Sequence, residues 1–542
     1  MNARIRITAA LIALSLAAAS VAFAQQGDKL GKVQFQNSCS PAVQEKFLRG
    51  VAMLHSFYYS AAQKAFEEVA AEDNSCAIAA WGYASILMSN PLQGIGASLK
   101  SAELAQTAIN KGRNMGAKAQ REREYLEAVA AYYEDFANRP ERARQLARAK
   151  AYEALAAKYP DDDEAQIFYA LYLAGTQTAS DQTYSAYLKA AGILEKQFAK
   201  HPDHPGVAHY LIHSYDAPPI AAQGLPAARR YAVIAPDAPH ALHMPSHVYS
   251  TLGMWREAIG SDSAADDETI AYTARVNPKA ATEPAKDPSR YHFLDFLTNA
   301  YLQLGEDQQA KRIVDARNSV AEYPAGFRYS GHTAFAAIPV RYAFERSAWG
   351  EAAALAVPKT PFAQAEAITW FGRAVGAARS GELTKAKEAI DHIRVLKDRL
   401  AQANDAYWTG QVAIQEYAAA AWLTLGEGRK ADAIAAMRQA ADLEDRSGKH
   451  VAMENRLSPI REMFGELLLE AGEPAQALRE FEASLLNNPN RYRSFAGAAK
   501  AAERIGNRAQ AKSYYEKLVA LTGNVGTARP DLAAAKQYLA RK

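Results

Sequence analysis

The chain has 542 residues, 49% hydrophobic and 22% charged, which is the balance of a folded globular protein and excludes a disordered or collagen-like one. Its 62 basic and 59 acidic side chains leave a formal charge of +3, and no basic stripe runs along it. That argues against a nucleic-acid partner, whose phosphates call for clustered Lys and Arg.

The chain opens "MNARIRITAALIALSLAAASVAFAQQ". A basic start, a short apolar run and a small-x-small tripeptide predict a secretory signal peptide over residues 1–24, cut after Ala24. Removing Arg4 and Arg6 leaves a nearly neutral mature chain. Residues 25–37 read as an N-terminal linker. The residue directly after the cut is Gln25 and not a cysteine, and no later stretch is apolar for long enough to span a membrane. The expected location is the periplasm. The only cysteines are Cys39 and Cys76. In an oxidising compartment such a pair predicts a disulfide, here tying the first helical unit to the second.

From Ser38 onward amphipathic helical segments follow one another, and strand signals are nearly absent. A period of 34 residues recurs. Near the C-terminus Gly472 is followed by Ala477, Phe481 and Pro489, and 34 residues after Gly472, Gly506 is followed by Ala511 and Tyr515. Gly50, Ala62 and Phe66 begin the same pattern. "TLGMWREAI" (251–259), "QLGEDQQAKRI" (303–313) and "TLGEGRKADAI" (424–434) repeat its turn. These residues resemble the tetratricopeptide repeat (TPR) family, over most of the chain and most clearly in its last third. The resemblance implies an all-α, right-handed solenoid of antiparallel helix pairs with no significant sheet. "CSPAVQEKFLRGVAMLHSFYY", "HALHMPSHVYSTLGMW" and "LNNPNRYRSFAGAAKAAE" also resemble a type of secreted bacterial TPR protein to which no activity attaches. Polar or proline-rich loops at 90–98, 217–228, 277–289, 322–332 and 445–459 interrupt the array. A bend is expected near Pro358 to Pro361. It divides an irregular solenoid (38–357) from cleaner repeats (358–542).

The irregular part holds eight of the twelve histidines between His201 and His292. "HYLIHSYD" (209–216) and "HALHMPSHVYS" (240–250) repeat His-x-x-x-His-x-Tyr at an interval of 34. On a helix, His240, His243 and His247 share one face. On the TPR pattern they take the second, fifth and ninth positions of the repeat, which the resemblance places on the concave groove. His209 and His213 take the fifth and ninth positions one repeat earlier, and Asp216 the twelfth. His292, Asp295 and Asn299 take the second, fifth and ninth one repeat later. Neighbouring helices lie about 8–10 Å apart, so the two His pairs can meet. The predicted metal ligands are His209, His213, His243 and His247. Asp216, His240, His292 and Asp295 are further ligands or hold the ligands in place.

A nitrogen-rich set with no thiolate suits zinc or copper. No haem motif, phosphate-binding glycine loop, Gly-x-Ser-x-Gly elbow or His-Glu-x-x-His occurs. The expected function is therefore an exported TPR solenoid. Its histidine-lined groove binds a transition metal together with a protein, peptide or small ligand. Two alternatives stand beside it: a hydrolytic or redox metalloenzyme using the same histidines, and a metal-free interaction scaffold. His55, His201 and His204 read as packing or helix-start residues.

Overall fold

A computed structural model describes residues 29–324, 329–449, 456–523, 525–527 and 529–541. The signal peptide expected over residues 1–24 lies outside them. Among the described residues the regular structure is helical, with no strand, and no helix is long and apolar enough to cross a membrane.

The helices come in antiparallel pairs. Gln44–His55 packs on Tyr59–Glu72, and Ile460–Ala471 on Pro474–Asn487. The repeat residues explain why. Phe481 is wholly buried, and a Cβ on Gly465 or Gly497 would sit 2.8 or 2.2 Å from its ring. Gly82 makes the same room for Phe66. Small residues thus let three helix backbones close around one aromatic ring, whose burial stabilises by roughly 2–3 kcal/mol. No pair can bury that face alone, so the pairs stack.

The first unit is tied down by the chain ahead of it. Residues 29–38 lie against the repeats without regular secondary structure. Phe35 packs against Phe47, Trp81 and Tyr125 at 4.9–5.4 Å. The Cys39–Cys76 disulfide is formed and links the two units.

Two main cores result, one from Leu30 to Val248 and one from Ala336 to Ala535, with smaller clusters between them that include Tyr291–Ile338. The stretch Pro358–Pro361 lies within the span of the second core. The array curls until its last repeats meet its middle. Gly253 adopts φ +67°, and a Cβ there would lie 2.4 Å from the Pro489 carbonyl oxygen. Trp255 Nε1 donates to the Asn490 carbonyl (2.7 Å), and Tyr492 N donates to Gln303 Oε1 (3.1 Å). Further along the groove Gly448 N donates to the Ala179 carbonyl (2.8 Å). Between the two halves lies a cavity of about 1170 Å³, walled by Tyr184, Tyr187 and Asp216 on one side and Tyr407, Trp408 and Lys449 on the other.

Candidate metal centre

Three consecutive first helices of repeats carry the histidines: Pro205–Ser214, the pair Pro239–His243 and Pro245–Thr251, and Tyr291–Gln303. Pro245 interrupts the second helix, but Met244 keeps right-handed helical angles (φ −53°, ψ −36°). His243 and His247 therefore stay one turn apart on one face.

The four expected ligands do not form one set. His209 and His213 group with His240, and His243 and His247 group with His292, each triad having its ligand atoms within 4.8 Å of one another. One rule generates both: the fifth and ninth positions of a repeat meet the second position of the next. Each helix is offset along its neighbour by about a turn. His209 therefore faces His240 and not His243, its equivalent. His240 and His292 are accordingly members of the triads. Asp295 does not join them. It lies against Arg341 of the following repeat, with Oδ1 2.8 Å from Nε, and that ion pair closes the row.

In the second triad His243 Nε2 lies 3.0 Å from His247 Nε2 and 3.0 Å from His292 Nε2. In the first, His209 and His240 Nε2 are 3.2 Å apart. Three nitrogens bonded at about 2.0–2.1 Å to a tetrahedral ion would be about 3.3 Å apart.

The other ring nitrogens decide what these contacts are. His209 Nδ1 donates to the His55 carbonyl (2.6 Å), which accepts only, so Nε2 carries a lone pair. His247 Nδ1 meets Asp216 Oδ2 at 3.0 Å, with the same result. His243 Nδ1 meets Asp262 Oδ1 at 2.5 Å, and Ser246 Oγ donates to the same oxygen. Even if His243 Nε2 held a hydrogen, it could serve only one of its two neighbours. His213 is buried with neither ring nitrogen hydrogen-bonded. A buried polar group in that state costs about 1–3 kcal/mol.

Burial holds the imidazoles of His209, His213, His247 and His292 well below their usual pKa, and neighbouring histidines add to the effect. His243 is pushed down to about 3, again chiefly by burial. All five are neutral at neutral pH, the form that ligates metals. Burial drives the Asp262 carboxyl well above its usual range, so it competes with His243 Nδ1 for the proton between them. A cation on Nε2 favours that proton on Nδ1. Asp216 accepts a hydrogen bond from Lys449 Nζ as well (2.7 Å). Phe57 packs on the first triad (4.4 Å from His209), and Phe296 on the second (4.8–5.2 Å from its three rings).

Sequence reasoning missed Asp262 and Lys449. Asp262 was legible: Ala258, Asp262, Ala265 and Thr269 form one buried helix stripe, where a carboxylate is out of place unless it has a partner. Lys449 was not, because only the closure of the array brings its loop to Asp216.

A further cluster sits one repeat earlier. His55 Nε2 and His204 Nε2 each lie 2.9 Å from the oxygens of Glu164, and Tyr210 Oη is 2.9 Å from His55 Nδ1. His204 also caps the next helix, accepting from Val207 N (3.3 Å).

The chain has the tetratricopeptide-repeat fold. Solved TPR structures similar to it include a TPR protein from Parabacteroides merdae (13% identity, TM-score 0.30, covering 56% of this chain and 97% of that one). They also include the Cut9–Hcn1 complex of the APC/C (12%, 0.27, 92% and 96%) and human IFIT1, solved as a dimer with m7Gppp-AAAA (14%, 0.34, 83% and 90%). With TM-scores of 0.34 and below, the likeness adds nothing to what the stacked helix pairs themselves show. No protein-family model matches the chain, and no curated protein does.

Proposed function

We propose that this protein is an exported TPR solenoid that binds two transition-metal ions, zinc or copper, one in each histidine triad, and receives a ligand or partner in the adjoining cavity. The observation that carries the reading is the convergence of Nε2 atoms, two of which, on His209 and His247, have the ring proton held on the opposite side. Hydrogen bonding can serve His209 only through a proton on His240 Nε2, can serve only one of the two contacts of His243 Nε2, and leaves both ring nitrogens of His213 without a partner. A cation satisfies all of them. Asp216 and Asp262 then orient the ligands and offset the charge.

Three protein ligands leave a coordination position open, which favours a metalloenzyme as the second reading. The test begins with protein purified from the exported fraction, stripped with a chelator and dialysed against micromolar zinc or copper. Two ions per chain by elemental analysis, with none retained after His213→Ala and His247→Ala are combined, is the expected result. A wild-type chain that takes up neither metal would overturn both metal readings and leave the interaction scaffold.

A further inference from the structure

The two triads do not stand apart. The His213 ring lies 5.5 Å from that of His247, and His240 lies 5.8 Å from His243. From this contact we infer, resting on the metal reading above, that the triads form one dinuclear copper centre whose ligand is dioxygen.

Three features point to copper. Both ligand sets are imidazole only, and the nearby carboxylates of Asp216 and Asp262 bond the Nδ1 side of the rings, not the side facing the ion. Carboxylate ligands suit harder ions, whereas imidazoles suit copper. Charge makes the same choice. The centre is buried, and the anions bonded to its rings are Asp216 and Asp262, the first already shared with Lys449. With Lys449 counted, two monovalent ions leave one net positive charge at the centre, whereas two divalent ions would leave three in a buried site.

Access makes the choice of ligand. The cavity reaches Asp216 and Lys449, but none of the six histidines lines it. Phe57 and Phe296 cover the triads from either side. His240 and His292 are partly exposed and the other four rings are buried, so the approach to the ions is narrow. A small molecule of low polarity, which loses little on leaving water, suits it better than a bulky substrate. Dioxygen also balances the chemistry. Each cuprous ion gives up one electron, and dioxygen takes both, becoming a peroxide dianion held between two cupric ions. No proton is consumed, no further reductant is needed, and the total charge of the centre is unchanged.

The experiment uses the full-length exported chain, loaded with cuprous copper under argon and then exposed to dioxygen. An oxygen electrode should record one dioxygen per pair of copper ions. The oxidised protein should give almost no cupric paramagnetic resonance signal, because the paired spins cancel. His292→Ala, checked for fold by circular dichroism, should bind one copper, take up no dioxygen in that ratio and give a cupric signal integrating to one spin per chain. A wild-type chain that holds two coppers and either stays cuprous without taking up dioxygen, or is oxidised by it to two full cupric spins, overturns the dinuclear reading while leaving metal binding intact. A chain that holds fewer than two ions of either metal overturns both.

Discussion

Two histidine clusters sit within one repeat of each other and differ in a single respect. Around Glu164, the nitrogens of His55 and His204 meet a carboxylate, a hydroxyl and a backbone N–H. In the triads, Nδ1 of His209, His243 and His247 meets a carbonyl or a carboxylate, and the Nε2 atoms meet one another. Both clusters are buried and both are drawn from first helices and the turns beside them. The difference teaches that histidine density does not mark a metal site. What marks it is where the proton on each ring is required to be.

That contrast can be broken in several ways, beginning with pH. The triad histidines have folded-state pKa values below the unfolded value of about 6.5. Below pH 6.5 the unfolded chain therefore binds more protons, and stability rises with pH. The contribution is present above 6.5 and is lost as pH falls toward the folded values, about 3 for His243. Each such histidine costs at most about 1.4 kcal/mol per pH unit. Chelated protein should therefore lose several kcal/mol between pH 7 and 5.5 in urea titrations. Bound metal should shift that loss to lower pH. A flat profile would mean the rings are not held neutral.

Next is Glu164→Ala, which strands two buried imidazoles. It should destabilise the chain by about 3–5 kcal/mol and leave the metal count unchanged. Loss of an ion in this variant would place Glu164 in the metal chemistry and erase the distinction.

Asp262→Asn removes the carboxylate behind His243. Affinity at one of the two sites should fall about 10–100-fold, and competition titration should show the other site unmoved. Equal weakening of both would mean that the triads are not separately supported.

The smallest effect is the sharpest. His213→Leu replaces a ring with no hydrogen-bond partner. Relieving that group should stabilise the chelated protein by about 1 kcal/mol, while one metal ion per chain is lost. Thermal melts with and without chelator read both outcomes. Destabilisation of the metal-free form by several kcal/mol would show that His213 is an ordinary packing residue.

Much of this was legible in the residues. The 34-residue interval, with small residues at Gly82 and Gly497 facing rings at Phe66 and Phe481, specifies stacked helix pairs because each contact is local and repeated. The same interval paired His209 and His213 with His243 and His247, and the repeat positions counted from Gly253 and Gly305 added His240, His292 and Asp216. The grouping was not legible, since it depends on a one-turn offset between neighbouring helices that no spacing along the chain records. Asp295 shows the consequence: its repeat position matches that of His243, but Arg341 from the next unit claims it.

By itself, then, the sequence determined the repeat and the residue types that share one face of its first helices, because helix periodicity and nearest-neighbour packing are short-range. Only the tertiary structure decided which histidines share a site, that Lys449 belongs beside them, and that a cavity abuts Asp216. Those depend on the superhelical offset and on a closure that brings residues more than two hundred positions apart into hydrogen-bond range.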